Sequence, residues 1–99
     1  MSVVELTRLR ANAGDEAELV ANLADGARII ASGDGCRGVE VLRGVEAPGE
    51  VVLVVEWDTV EAHRAFHSTD LFQHYRATMV EILAEAPSGG HFERVASVP

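Results

Sequence analysis

The sequence predicts an α+β fold in which four β-strands and two helical regions follow one another in the order β-α-β-β-α-β. Two observations predict this fold. Apolar residues recur at steps of three and four in two long stretches, which is the period of a helix with one buried stripe. Four shorter stretches are rich in valine and other strand formers, and turns containing Gly or Pro separate the elements. We expect the 99 residues to form a single domain, 1–99.

The beginning of the chain supplies one strand and one helix. Residues 3–9 alternate between apolar and polar side chains and predict the first strand. A helical period starts at Asp15, where acidic residues suit a helix N-terminus. Gly33 or Gly35 is expected to end this helix, because glycine readily adopts the left-handed conformation common at helix C-termini. The apolar stripe of the helix consists of Leu19, Val20, Leu23, Ala27 and Ile30.

The middle of the chain is typical of a β-hairpin followed by a capped helix. Residues 36–45 and 51–57 predict two strands, and a short turn around Pro48 joins them. Asp58 or Thr59 is expected to cap the next helix, because a short side-chain oxygen can accept from the free amides of the first turn.

The last part of the chain is predicted to contain two consecutive helices and the fourth strand. Helix two covers 60–67, and a new capping signal at 68–70 begins helix three, which reaches Ala84. Residues 91–98 alternate and predict the last strand. This element order is the ferredoxin-like arrangement, a four-stranded antiparallel sheet with its helices on one face. The apolar stripe of helix three consists of Leu71, Phe72, Tyr75, Met79, Ile82 and Leu83.

The strand over 51–57 is apolar on both sides. Because strand side chains alternate between faces, Val52 and Val54 point to one face of the sheet. The opposite face receives Val51, Leu53, Val55 and Trp57. Two helical regions cover only one face, and the other would leave a contiguous apolar patch in water. A second copy of the sheet, packed about a two-fold axis, would cover it, so the sequence predicts a homodimer.

Composition excludes several classes of partner. The formal charge of −8 repels nucleic acids and anionic membranes. No apolar run approaches the roughly 18 residues of a membrane span, and we expect a cytoplasmic protein. Cys36 is the only cysteine, so it can form neither an internal disulfide nor a thiolate metal cluster within one chain, and we expect a buried or half-buried structural thiol.

Three segments carry a resemblance to a known family. They are residues 35–43 (GCRGVEVLR), 54–62 (VVEWDTVEA) and 68–72 (STDLF). With them the chain resembles the antibiotic biosynthesis monooxygenase family over nearly its whole length. The resemblance implies a ferredoxin-like subunit that pairs into a dimeric α+β barrel. It does not fix the chemistry, because the family includes cofactor-free oxygenases of quinols and polycyclic polyketides, haem-degrading enzymes and members of unknown activity.

Two branches of the family match poorly. Haem-degrading members carry an asparagine in strand one, a tryptophan in helix two and a ligating histidine in helix three. Here Thr7, Phe66 and Tyr75 stand at those places, and His74 is one residue away, an offset that turns a helical side chain by about 100°. Haem is therefore the less favoured alternative, and no cofactor is expected. The quinol-oxidising branch often has a histidine where Phe66 stands.

The polyketide-tailoring branch matches better. Its pattern is a tryptophan that ends strand three, a polar aromatic residue in helix two and an arginine further along. Trp57, His63 and Arg76 resemble this pattern, with histidine in place of tyrosine and the arginine only near its expected place.

The histidines admit more than one interpretation. His63 and His67 are four residues apart and share a helical face, a spacing that can hold a metal, but a third ligand is missing and no metal site is expected. One or two of His63, His67 and His74 can equally be solvated helix residues. His63 lies at the margin of the apolar stripe, where an imidazole that titrates near neutral pH could take a phenolic proton.

We therefore expect a cofactor-independent monooxygenase that oxidises an electron-rich aromatic, such as a hydroquinone, an anthrone or a polyketide-type phenol, with O₂. His63 or His67 is the expected base, Trp57 hydrogen-bonds to or stacks on the substrate, and Arg76 stabilises the developing anion. The competing hypothesis is a dimeric barrel that binds a small hydrophobic molecule without catalysis. The residues expected to bind substrate are Thr7, Leu53, Val55, Phe66, Phe72, His74 and Tyr75.

Overall fold

A computed structural model of the chain describes residues 2–99 and has the predicted element order. All four strands form one antiparallel sheet in the order β2-β3-β1-β4. The helices lie on one face of this sheet, which confirms the predicted ferredoxin-like α+β class. The elements are β1 (Val3–Arg10), α1 (Glu16–Ala31), β2 (Cys36–Arg43), β3 (Glu50–Trp57), α2 (Val60–His67), α3 (Asp70–Ala77), the 3₁₀ turn Val80–Ile82 and β4 (Ser88–Phe92).

The core lies between β3, β1 and the helices. Burial alternates along β3, as the strand pattern predicts. Its helix-facing side chains are Val51, Leu53, Val55 and Trp57, all of them buried. The backbone of Glu5 pairs with that of Val55, and Thr7 pairs with Leu53, so every second residue of β1 faces the same layer. Leu19, Leu23 and Ile30 close the core from α1, at the helical spacing of the predicted stripe.

Local capping explains where the two short helices begin. The Thr59 hydroxyl accepts a hydrogen bond from the Ala62 amide at 3.0 Å, and α2 spans the predicted residues 60–67. Asp58 does not cap; it forms an ion pair with Arg37 of β2. Thr69 caps α3 by accepting from the Phe72 amide at 3.2 Å.

The third helix is shorter than the sequence indicates. It ends at Ala77 rather than Ala84 and is followed by the 3₁₀ turn. The reason is competition from the end of β1: the Asn12 amide donates to the Ile82 carbonyl, and the Ala84 amide donates to the Arg10 carbonyl. These bonds hold the chain in an extended path that a continuing helix would not allow, although Ile82 is still buried as predicted.

The last strand lies earlier in the chain than the sequence predicts. It spans Ser88–Phe92, not 91–98. Phe92 pairs with Val4 near the beginning of β1, and among residues 2–99 no strand pairing continues after Phe92. The second strand likewise ends at Arg43 rather than at residue 45.

None of the helices formed by residues 2–99 combines the length and apolarity that crossing a membrane requires.

Candidate active site

A cavity of about 330 Å³ opens between the helix-facing side of the sheet and the helices. Its lining includes apolar side chains, among them Leu23 and Ile30 of α1 and Met79. Glu5 and Thr7 of β1, His63 of α2 and His91 of β4 contact one another in the lining and form its polar end. A mostly apolar cavity with a few grouped polar residues is typical of sites for small organic molecules.

A buried carboxylate organises the polar end. Glu5 lies on the helix-facing side of β1 and is only 7% exposed. The Trp57 indole N–H donates to its Oε1 at 2.9 Å, and the Thr7 hydroxyl donates to its Oε2 at 2.6 Å. His63 Nε2 lies 3.2 Å from the same Oε1. Two hydrogen bonds and the close approach of His63 therefore replace the water that burial removes from this carboxylate.

His63 is held from several sides. Its ring stacks on Trp57, with the ring centroids 5.2 Å apart and an interplanar angle of 17°. Its Nδ1 lies 2.7 Å from Nε2 of His91. His91 reaches this position because its backbone pairs directly with Glu5 across β1 and β4, which puts both side chains on one face.

Burial sets the charge of His63. Loss of solvent lowers the pKa of its imidazole, and the nearby His91, His67 and Arg64 act in the same direction. The negative charge of Glu5 opposes this shift without cancelling it. His63 is therefore uncharged at neutral pH and able to accept a proton.

Tyr75 has a packing role at this cavity. Burial, followed by the charge of Asp25, raises the pKa of Tyr75 to about 12. Its hydroxyl donates to the Asn22 carbonyl at 3.2 Å, away from the His63 cluster. Tyr75 thus lines the cavity with its ring and ties α3 to α1, and it is not suited to act as a base at neutral pH.

Nine of the eleven residues predicted for the site line the cavity. His67 and Arg76 do so from exposed positions at its rim, and His67 packs against Phe72 with ring centroids 4.8 Å apart. Among residues 2–99, Arg76 forms no ion pair. The nine are His63, Trp57, Arg76, His67, Thr7, Leu53, Phe66, Phe72 and Tyr75.

Two predicted residues lie outside the cavity lining. Val55 is fully buried within the core beneath it. His74 is exposed on α3, and its Nδ1 is 2.9 Å from the Asp70 carbonyl of the same helix. One position along a helix separates His74 from the cavity-facing Tyr75, and this rotation directs the imidazole to solvent.

Sequence reasoning missed Glu5 and His91. Glu5 had a detectable signal: on the alternating pattern of β1 it occupies the same face as Leu9, where a lone acidic residue would need buried partners. His91 had none, because its relation to Glu5 depends on the register of β4, which the sequence did not indicate.

The polar groups do not converge as metal ligands would. His63 lies between Glu5 and His91, so the three side chains form a series. No group of three or more His, Cys, Asp or Glu side chains within the described part of the chain is arranged to hold a metal ion.

The chain is similar in sequence and in structure to proteins of one known family. The sequence profile of the antibiotic biosynthesis monooxygenase family matches residues 2–78. A solved structure from Bordetella bronchiseptica that carries this family designation is 32% identical, has a TM-score of 0.88 and covers 96% of this chain and 98% of its own.

More distant structures are similar in fold. A Chloroflexus aurantiacus protein with the same designation is 23% identical, with a TM-score of 0.78 and coverage of 100% of this chain and 98% of its own. The Mycobacterium tuberculosis protein Rv0793 is 19% identical, with a TM-score of 0.83 over 100% of both chains. No curated protein sequence matches the chain significantly.

Proposed function

Because the chain belongs to the antibiotic biosynthesis monooxygenase family, we propose that it is a cofactor-independent monooxygenase. Its substrate is an electron-rich aromatic of the hydroquinone, anthrone or polyketide-phenol type, and its oxidant is O₂. The observation that carries the proposal is the buried Glu5 carboxylate, which holds Trp57 and an uncharged His63 together at the wall of a mostly apolar cavity.

Deprotonation is the step that the protein must supply. A phenolate or enolate is a far better one-electron reductant than the neutral molecule. A neutral imidazole can accept the proton near physiological pH, and the burial of His63 keeps it neutral. The Glu5 carboxylate beside it stabilises the imidazolium that forms, since an opposite charge in contact favours the charged state.

The oxidation that follows needs only substrate and O₂. The substrate anion passes one electron to O₂, and the two radicals combine to form a C–O bond. In an anthrone, the resulting peroxide anion takes back the proton from the base, and loss of water then breaks the O–O bond and the remaining C–H bond, which leaves a carbonyl where a CH₂ group had been. One oxygen atom enters the product, the other leaves as water, and no external reductant is consumed.

Trp57 and Arg76 have different roles in this proposal. The indole N–H of Trp57 is already donated to Glu5, so Trp57 acts on the substrate through the position of His63, on which it stacks. Arg76 stands at the cavity rim, where its guanidinium can stabilise negative charge that develops on the substrate. The apolar walls exclude water from the reacting anion.

We include no cofactor in the proposal. A haem-ligating histidine in α3 would have to face the cavity, and the exposure of His74 together with its contact to the Asp70 carbonyl does not fit that requirement. The Tyr75 hydroxyl is likewise engaged with the Asn22 carbonyl.

We also propose a homodimer as the working unit. The sheet face opposite the cavity carries the half-buried side chains of Val4, Leu6, Val52 and Val54. These residues alternate with those that build the site, and a second sheet packed on them would remove their apolar surface from water.

Oxygen uptake tests the function directly. We expect wild-type protein to consume O₂ with anthrone or 1,4-dihydroxynaphthalene, and His63→Ala to lower the rate by about 10²- to 10⁴-fold, the usual contribution of a general base. His74→Ala removes an imidazole outside the cavity and serves as the matched control.

Binding without turnover is the result that would replace this proposal. Trp57 is the only tryptophan, so its fluorescence reports occupation of the cavity wall. Saturable quenching by these aromatics, with O₂ uptake no faster than in buffer across a broad panel, would identify a small-molecule-binding barrel instead of an enzyme.

A further inference from the structure

His63 has no ring nitrogen left for a substrate. Its Nε2 faces Glu5 Oε1 at 3.2 Å, and its Nδ1 faces His91 Nε2 at 2.7 Å. One face of the ring is stacked on Trp57. Any proton that reaches His63 from the cavity must therefore pass through a neighbouring group or displace one of these contacts.

Glu5 determines which nitrogen of His63 carries the hydrogen. A carboxylate that already accepts from Trp57 and Thr7 is an acceptor toward His63 as well, so Nε2 of His63 is the donor in that contact. In a neutral imidazole the other nitrogen is an acceptor, which makes Nδ1 of His63 the acceptor in its contact with His91.

The position of the ring hydrogen on His91 follows from that on His63. Nε2 of His91 must donate to His63 Nδ1, so a His91 ring with one hydrogen keeps Nδ1 as its free acceptor. Within residues 2–99, no hydrogen-bond partner contacts this Nδ1. His91 lines the cavity, and the residues before it on β4, Gly89 and Gly90, contribute wall without side chains that would fill the space.

We propose that His91 is the group that takes the proton from the substrate, through Nδ1, and that His63 and Glu5 are positioning residues behind it. This inference rests on the proposed monooxygenase function. The substrate O–H or C–H bond breaks and an Nδ1–H bond forms on His91. The Nε2 hydrogen of His91 then moves to Nδ1 of His63, whose imidazolium is balanced by the Glu5 carboxylate.

The series Glu5–His63–His91 explains why a carboxylate is buried away from the free Nδ1 of His91. Transfer of the proton from His91 to His63 places the positive charge next to Glu5. His91 is then neutral again, with its hydrogen on Nδ1. The substrate anion then faces a neutral donor at the cavity wall, and the compensating cation is separated from it by one imidazole. A base oriented by a second group, which is itself oriented by a third, is a recurrent catalytic arrangement.

The hydrogen positions can be tested without any substrate. Two-bond ¹H–¹⁵N correlation spectra of histidine-labelled protein distinguish the two neutral tautomers, and single histidine variants assign the signals. We expect His63 and His91 both to carry their hydrogen on Nε2 above neutral pH. In Glu5→Gln the pattern of His63 should change, whereas the exposed Glu18→Gln should leave it unaltered. A hydrogen on Nδ1 of His63 in the wild-type protein would overturn the proposal.

Kinetics test the role of His91 in turnover. We expect His91→Ala to lower the oxidation rate by about 10²- to 10⁴-fold, with partial recovery when free imidazole is added, because the missing base lies at the cavity surface. His63→Ala should lose rate without comparable rescue. Wild-type rates in His91→Ala alongside a large loss in His63→Ala would show that His63 meets the substrate itself. Absence of turnover in the wild-type protein would remove the proposed function, while the spectra would still decide the hydrogen-bonded series.

Discussion

A charged residue on the buried face of a small domain needs hydrogen-bond partners that replace its lost hydration. Glu5 is buried on β1, yet each of its oxygens accepts a hydrogen bond, and one of them contacts both Trp57 and His63. Leaving such a group without partners would cost about 1–3 kcal/mol or more, because its hydration is lost on folding. The hydrogen bonds from Trp57 and Thr7 and the contact with His63 offset that cost, and they fix the positions of two aromatic rings at the cavity wall.

The depressed pKa of His63 makes stability depend on pH. Between the folded-state pKa and the ordinary value near 6.5, the unfolded chain binds more protons than the folded chain. The contribution of His63 is therefore complete above about pH 6.5, declines as the pH falls below that value, and stops declining once the pH is under the folded-state pKa. Urea unfolding measured from about pH 8 to about pH 5 should show this decrease in the free energy of unfolding.

A variant separates this effect from other titrations. His63→Gln removes the titrating ring, so the decrease over this pH range should become smaller. The groups facing His63 are Glu5 on β1, His91 on β4, and His67 and Arg64 on its own helix, and all of them remain in the variant. A free energy of unfolding that rises on acidification through the same range would contradict the assigned direction of the shift.

At the scale of elements, α1 and α3 approach each other at a glycine. A Cβ built on Gly26 would lie 2.0 Å from Cζ of Tyr75, well inside contact distance. Gly26→Ala would gain about 1 kcal/mol of helix propensity. The tyrosine ring would have to leave its place between the helices, however, and overpacking of this kind costs about 1–3 kcal/mol or more. We expect net destabilisation in thermal or urea unfolding.

Gly38→Ala is the matched control, because a Cβ at Gly38 meets no atom within 4 Å. Combining Gly26→Ala with Tyr75→Leu should remove much of the penalty, since the clashing ring is then absent. Equal stability of Gly26→Ala and the wild-type protein would show that the helices adjust without cost.

Elements with strong local signals were predictable from the sequence. The Thr59 cap and the short apolar stripe defined α2 over 60–67, and the alternating pattern of 51–57 gave the correct inward face of β3. These features depend on side chains near in sequence, so a single chain contains the information. The cavity-facing positions of Trp57 and His63 follow from them directly.

Elements whose location depends on pairing with backbone far away in sequence were not predictable. The strand Ser88–Phe92 contains two glycines and has no apolar alternation, and its location depends on the amides and carbonyls that β1 offers. A Cβ at Gly89 would lie 1.9 Å from the Leu6 carbonyl oxygen, so a glycine at this position permits close strand pairing. Since His91 is positioned by this strand, its place beside His63 could not be derived from the sequence either.

At the scale of the whole molecule, β1 and β3 serve two surfaces at once. Their alternate residues face the cavity on one side, with Glu5 and Trp57, and the outer apolar surface on the other. The outer surface is extended by Leu42, which is 51% exposed, and Phe92, which is 56% exposed. Packing on one face therefore restrains the same backbone that positions the polar end of the site.

The outer sheet face leads to a prediction about assembly. Because a contiguous apolar surface on a small domain favours burial against a self-complementary copy, light scattering should give about twice the 10.6 kDa mass of one chain at micromolar concentration. Val54→Asp, which puts a carboxylate at the centre of that face opposite Leu6, should shift the protein to a monomer. Ala24→Asp adds the same charge on the exposed side of α1 and should remain a dimer. A wild-type protein that stays at the mass of one chain, with helical content and cooperative unfolding intact, would show that the outer face tolerates water and that the site is complete in a single subunit.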